Sequence, residues 1–191
     1  MPMVTTRILV IEDESAHAEA IRRSVECLEG AEVRLMASLR EFRDQGPAWN
    51  PHLVLMDLNL PDGRAIDVLG DPAEPKDFPI VVMTSYGSEA TAVEALKRGA
   101  FDYLVKSPDT FRGLARTLER LLREWQVYQD ARVAQRQLAA SEAKFRSLSE
   151  SSPDFIIRYD QEHRHTYLNP AALKMLGRSA AAILGKTHRE C

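Results

Sequence analysis

The 191-residue chain is 45% hydrophobic and 28% charged, with a formal net charge of −3. That is a soluble globular composition, long enough for one ordinary domain and a second element, and it gives no electrostatic reason for nucleic acid or an anionic membrane. No apolar run is longer than a strand, which excludes a membrane span, and no signal-peptide pattern opens the chain, so a cytoplasmic protein is expected.

Residues 7–11 are a β-rich run that delivers Glu12, Asp13 and Glu14. Ser15 then opens a helical pattern through Ala20, Ile21, Val25 and Leu28, with Gly30 as its stop. Cys27 falls among apolar positions of that pattern and reads as an inert core thiol. It lies far from Cys191 without metal-ligand spacing, in keeping with a reducing compartment. A second strand over 32–36 leads to a short helix over 39–43, which loosens at Gly46 and Pro47.

The third strand, over 52–57, is an apolar run that ends on a single carboxylate, Asp57, and then breaks into a Pro61-Asp62-Gly63 turn. A short helix over 65–69 closes at Gly70-Asp71-Pro72. Residues 79–84 form a fourth buried strand, ending on Thr84. Ser88 caps a helix that carries Ala92, Val93 and Leu96 and stops on Lys97-Arg98-Gly99, with basic residues at its carboxyl end. Residues 101–106 form the fifth strand and end on Lys106.

Strands that alternate with helices make a parallel sheet with helices on both faces. The common doubly wound α/β order predicts strand order 2-1-3-4-5, with chemistry gathered beyond the carboxyl ends of the strands. That edge collects Glu12, Asp13, Asp57, Thr84 and Lys106. Three acids so close need a counter-ion, and oxygen ligands without nitrogens suit Mg²⁺. Lys106 and Thr84 would supply the point charge and the hydrogen bond that a phosphoryl group requires. Taken singly these residues have plainer readings: Glu12 and Asp13 as acids at the start of the first helix, Asp57 as a strand-end acid, Thr84 as a strand residue.

Taken together, Glu12-Asp13, Asp57, Thr84 and Lys106, each at a strand end in this order, resemble the receiver domain of bacterial response regulators over roughly residues 5–122. The resemblance implies a flavodoxin-like fold. It also implies that Asp57 accepts a phosphoryl group from a phosphohistidine on a sensor histidine kinase or phosphotransfer protein. Glu12, Asp13, Asp57 and the backbone carbonyl of Asn59 would hold Mg²⁺, with Glu12 acting through water. Thr84 and Lys106 would bind the phosphoryl group. Tyr103 would be the aromatic switch residue that moves the face of the fourth helix, fifth strand and fifth helix; simple half-buried packing is the alternative for it. Asn59 and Tyr86 would tune dephosphorylation, Tyr86 by shielding the acyl phosphate. His17 would lie at the kinase-docking surface. Phosphorylation and dephosphorylation at Asp57 would be self-catalysed, without a separate enzymatic activity. A haloacid-dehalogenase-like phosphatase is the enzyme alternative, but its Asp-x-Asp on the first strand is absent here.

Receivers of this kind place proline directly after the lysine, whereas here Ser107 intervenes before Pro108. Ser107 as helix cap with Pro108 in the first turn accounts for that proline without a cis bond. The helix that follows carries an apolar stripe of Leu114, Leu118, Leu121 and Trp125 for the sheet or for a partner. Beyond it Val127, Ala131, Ala134, Leu138, Ser141, Phe145 and Leu148 recur at alternating spacings of four and three, a coiled-coil seam. The phase slips between Tyr128 and Ala131. We read Leu118, Leu121, Trp125, Val127, Leu138 and Phe145 as one side of a parallel homodimeric signalling helix; the alternative is a single helix folded back on its own domain. The arginines of this helix alternate with acids and read as a solvated face.

Ser151-Ser152-Pro153 breaks the helix. Short strands over 155–159 and 164–168 follow, then a helix from the Asn169 cap and Pro170 to Leu176 and Gly177. Residues 145–160 with the Tyr167-Leu-Asn-Pro-Ala-Ala172 run resemble the opening of a PAS sensor domain. Two strands are fewer than the five a PAS sheet needs, so this α+β segment is expected to be incomplete or poorly ordered. His163, His165 and His188 read as solvent-facing rather than as metal ligands. The expected division is a receiver domain over 1–122, a coiled-coil helix over 123–150 and a PAS-like segment over 151–191. No helix-turn-helix follows the receiver, so no direct nucleic-acid contact is expected. A structural dimerisation module with a vestigial acceptor site is the rival class.

Overall fold

The computed structural model describes residues 5–70, 76–85 and 89–191. Tyr86, Ser88 and the Asp71-Pro72 break, each given a role above, lie outside those residues. The chain divides into two compact units, Met1–Tyr128 and Gln129–Cys191.

The first unit is built on β1 (Thr6–Ile11), β2 (Ala31–Met36), β3 (Leu53–Asp57), a small hairpin of β4 (Asn59–Leu60) and β5 (Gly63–Arg64), then β6 (Ile80–Thr84) and β7 (Asp102–Val105). Its helices are α1 (Ser15–Val25), α2 (Leu39–Gln45), α3 (Glu89–Lys97) and the start of α4 (Pro108–Ser151). The five main strands are parallel and ordered β2-β1-β3-β6-β7, the doubly wound order the sequence predicts. Successive side chains of a strand point to opposite faces, so an unbroken apolar strand needs cover on both. Ile8, Val10, Leu53, Leu55, Val81 and Met83 accordingly face a core closed by Ile21 and Val25 of α1 and by Leu114, Leu118 and Leu121 of α4. Leu9, Ile11, Val54, Met56 and Val82 face the opposite core, closed by Leu39 and Phe42 of α2 and Ala95 of α3.

This packing corrects part of the expected dimer stripe. Leu118 is 0% exposed and Leu121 1%, because both complete the core of their own sheet and neither can meet a partner. Trp125 stacks edge-on to Phe101, with ring centroids 5.2 Å apart, on the same unit. Val127 stays exposed. Cys27 is also corrected: α1 ends at Val25, so the thiol lies in the turn beyond it, exposed, with Sγ on the Arg23 carbonyl. The segment expected as a helix over 65–69 is a single 3₁₀ turn, Ala65–Asp67.

Among the described residues there is no cis peptide bond. The Ser107 hydroxyl accepts the Thr110 N–H at 3.1 Å and the Ser107 carbonyl the Phe111 N–H at 3.0 Å, so Ser107 caps α4 as expected.

In the second unit, β8 (Ile157–Tyr159) and β9 (His165–Leu168) pair antiparallel, followed by α5 (Pro170–Leu176) and α6 (Ala180–Ile183). A small core of Leu168, Ala172 and Ile183 closes it. Asn169 caps α5 and Gly177, at φ 64°, ends it in the left-handed conformation, both where the sequence places them. The segment is thus folded as a hairpin and two helices around its own core. Phe145, another expected seam residue, is instead partly covered within this unit by the Tyr167 ring, 5.6 Å away, and the Arg158 guanidinium, 5.3 Å away. Leu138 remains exposed.

Candidate functional site

Glu12 and Asp13 leave the end of β1, Asp57 ends β3, Thr84 ends β6 and Lys106 follows β7. Backbone hydrogen bonds between neighbouring strands fix these exits: Glu12 N–H to the Met36 carbonyl at 2.9 Å, Leu58 N–H to Met83 at 2.7 Å and Lys106 N–H to Thr84 at 2.7 Å. The five predicted residues are therefore brought to one edge by ladder geometry, independent of their side chains.

The Lys106 ammonium lies 2.6 Å from Glu12 Oε2 and 2.8 Å from Asp57 Oδ2. The side chains of Lys106 and Glu12 are 2% and 1% exposed, while that of Asp57 keeps 13%. Oxygens of Glu12, Asp13 and Asp57 lie within 4.8 Å of one another. Among the described residues, one buried cation thus pairs with two of three clustered acids, and the set holds more carboxylates than ammonium groups. Glu12 records the imbalance: burial pushes its carboxyl above the usual 4.5, and the nearby Asp57 adds to that, against the hydrogen bond and charge of Lys106. An additional cation is the simplest way to neutralise such a set, and oxygen-only donors suit a hard one. Asp13 is exposed and Asp57 partly so, which leaves the cluster open on that side.

Thr84 is buried beside this edge. Tyr103 is half-buried against the α2–α3 core, with its hydroxyl enclosed and without a hydrogen-bond partner among the described residues. Asn59 lies exposed in β4, between the buried Leu58 and Leu60. His17 stands beside the cluster, its Nδ1 2.9 Å from Glu14 Oε2 and 3.8 Å from Glu12 Oε1.

The histidines of the second unit form no further metal-binding group among the described residues. His163 and His188 are exposed, as expected, but His165 is not. It sits in β9 and turns inward, its Nδ1 2.7 Å from the Lys186 carbonyl and its ring tilted against that of Tyr159, with centroids 4.8 Å apart. Among the described residues Glu12, Asp13 and Asp57 are the one acidic or histidine group close enough to share a metal.

A family profile described as the response regulator receiver domain matches residues 8–117, and a PAS domain profile matches residues 143–190. The chain is 32% identical over 126 residues to the methanogenesis regulatory protein FilR1 of Methanothrix harundinacea, a match covering 62% of this chain and 28% of that protein. It is 33% identical over 114 residues to the acid tolerance regulatory protein ActR of Rhizobium meliloti, covering 59% of this chain and 58% of ActR. The chain therefore spans less than two thirds of either relative. The solution structure of the beryllofluoride-activated NtrC4 receiver domain dimer superimposes with a TM-score of 0.55 at 28% identity, over 62% of this chain and 98% of that one. No helix among the described residues is long and apolar enough to cross a membrane.

Proposed function

The chain belongs to the response regulator receiver domain family, and from that premise we propose that Asp57 is the phosphoacceptor of a two-component or phosphorelay pathway. The carrying observation is the Lys106 ammonium held between Asp57 and Glu12 beside a cluster of three acids. A carboxylate oxygen of Asp57 attacks the phosphorus of a phosphohistidine on a sensor kinase or phosphotransfer protein. The phosphorus–nitrogen bond breaks, the imidazole leaves with its electron pair, and an acyl phosphate remains on Asp57. Asp13, Asp57 and the Asn59 carbonyl would hold Mg²⁺, with Glu12 behind a water; the ion would offset the charge on the phosphoryl oxygens.

Lys106 already pairs with Asp57, so the same ammonium can follow the new charge onto the phosphoryl group. Thr84 donates its hydroxyl to a phosphoryl oxygen, and Tyr103 responds by repacking against α3, β7 and α4. His17 lies on the docking side for the phosphodonor, and Asn59 and Tyr86 set the lifetime of the acyl phosphate. Output passes along α4, through a receiver over 1–122 and a helical segment over 123–150, to the PAS-like segment over 151–191, in a cytoplasmic homodimer. Support for the dimer comes from the seam positions that stay exposed, Val127 at 68% and Leu138 at 62%.

The test is beryllofluoride binding in the presence of Mg²⁺, followed by amide chemical shifts. Wild type should bind and shift residues around Asp57, Thr84 and Lys106, and Asp57→Asn should abolish the response. Absence of Mg²⁺-dependent binding to wild type would overturn the assignment.

A further inference from the structure

The hairpin after Asp57 is anchored twice. At its base, the Leu58 N–H reaches the Met83 carbonyl at 2.7 Å and the Ala65 N–H reaches the Leu58 carbonyl at 2.9 Å. Pairing of Asn59 with Arg64 and of Leu60 with Gly63 leaves Pro61 and Asp62 as the tip. The tip does not hang free. Asp62 Oδ1 accepts the Leu39 N–H at 2.9 Å, and its Oδ2 accepts the Arg40 N–H at 2.8 Å.

These are the first two amides of α2, which have no partner within their own helix. The third, Glu41 N–H, goes to the Ser38 hydroxyl at 3.2 Å, so Asp62 and Ser38 together complete the end of the helix. Leu39 and Phe42 lock α2 into the core. Next to the clamp, Gly63 has φ 149°, and a Cβ there would stand 3.0 Å from the Leu39 side chain. A glycine therefore lets the tip come close, and the acid ties it down. The two backbone bonds also hold the Asp62 carboxyl below its usual range against a smaller opposing effect of burial, so it is ionised at neutral pH.

We infer that Asp62 is a positioning residue for the metal site: by fastening the hairpin tip to α2 it fixes the direction of the Asn59 backbone carbonyl. A side-chain ligand can rotate toward an ion, but a backbone carbonyl points wherever its peptide plane is held. Asn59 lies in a two-residue strand with an exposed side chain, so that direction is set by the two anchors and not by packing of Asn59 itself. This assignment rests on the proposed function, in which the Asn59 carbonyl is a Mg²⁺ ligand.

The experiment is calorimetric titration of Mg²⁺ into the full chain as wild type, Asp62→Asn and Asp62→Ala, with amide exchange at Leu39 and Arg40 measured on the same samples. Asp62→Ala should weaken Mg²⁺ binding about tenfold, the scale on which loss of an outer-shell partner acts. Asp62→Asn keeps one accepting oxygen and should fall between the two. Equal Mg²⁺ affinity across all three proteins, with faster exchange at Leu39 and Arg40 in the variants, would show a clamp that only caps α2 and would overturn the positioning role. Wild type that binds no Mg²⁺ would instead overturn the metal-site reading beneath it, and the positioning role with it.

Discussion

Lys106 and Asn169 are polar side chains buried almost completely, one in each compact unit, and their surroundings differ in kind. Lys106 meets two carboxylates at 2.6 and 2.8 Å, with a third acid in the same cluster. Asn169, 0% exposed, is satisfied on both ends. Its Oδ1 accepts the Ile156 and Ala172 N–H groups at 3.1 and 3.0 Å, while its Nδ2 lies 2.9, 3.5 and 2.8 Å from the carbonyls of Ser149, Ser152 and Asp154. A neutral amide with its capacity filled joins the end of α4, the start of the hairpin and the cap of α5. An under-neutralised ionic cluster costs stability and is kept where charge must arrive and leave. The amide is construction, and the ionic cluster is chemistry.

Two substitutions test that contrast, and a third tests the helix that leads from one unit into the other. The largest effect belongs to Asn169→Ala, which strips the donor from carbonyls of a unit whose small core centres on Leu168, Ala172 and Ile183. The loss should reach at least about 3 kcal/mol, several times the net value of one hydrogen bond. Hydrogen exchange should show protection lost across 157–183 while the receiver strands keep theirs; retained protection there would end the structural assignment of Asn169.

Glu12→Gln should behave in the opposite way. A carboxyl raised above 4.5 in the folded state binds protons that the unfolded chain has released. Its contribution to stability is therefore present below pH 4.5 and is lost as pH rises through the folded value. Without divalent cation, Glu12→Gln should raise the melting temperature at pH 7 and flatten that decline, whereas most substitutions destabilise. Mg²⁺ binding should weaken about tenfold, as expected for a partner acting through water. A lower melting temperature at pH 7 would mean that the cluster is already balanced.

The smallest effect on folding is expected of Leu138→Lys. Its side chain is 62% exposed, so unfolding of the monomer should move by no more than about 0.5 kcal/mol. Sedimentation should nevertheless show a shift from dimer to monomer. An unchanged mass would remove Leu138 from the dimer seam.

What the sequence made legible was local or strictly ordered. Strand–helix alternation gave the sheet order, and because strand ends are fixed by ladder bonds, reading the residue after each strand located the whole acidic edge. Ser107, Asn169 and Gly177 act within a few residues of themselves, and each is where its capping pattern puts it. What depended on distant partners was not legible. The Leu114–Leu118–Leu121 stripe has the same spacing whether it faces a sheet or another helix, and only the assembled sheet shows which. Asp62 reads as a turn residue, since its partners Leu39 and Arg40 lie 23 and 22 positions earlier. Cys27 falls outside the core because helix α1 ends two residues before it, and His165 turns inward because strand pairing, not local polarity, orients it.

The most direct test of the acceptor is intact-mass analysis of the full chain after incubation with a small-molecule phosphodonor and Mg²⁺, followed by peptide mapping. The mass of one phosphoryl group, labile to hydroxylamine, is expected on the peptide containing Asp57. It should be absent without Mg²⁺ and absent in Asp57→Asn. A phosphoryl group on any other residue, or its persistence in Asp57→Asn, would contradict the assignment.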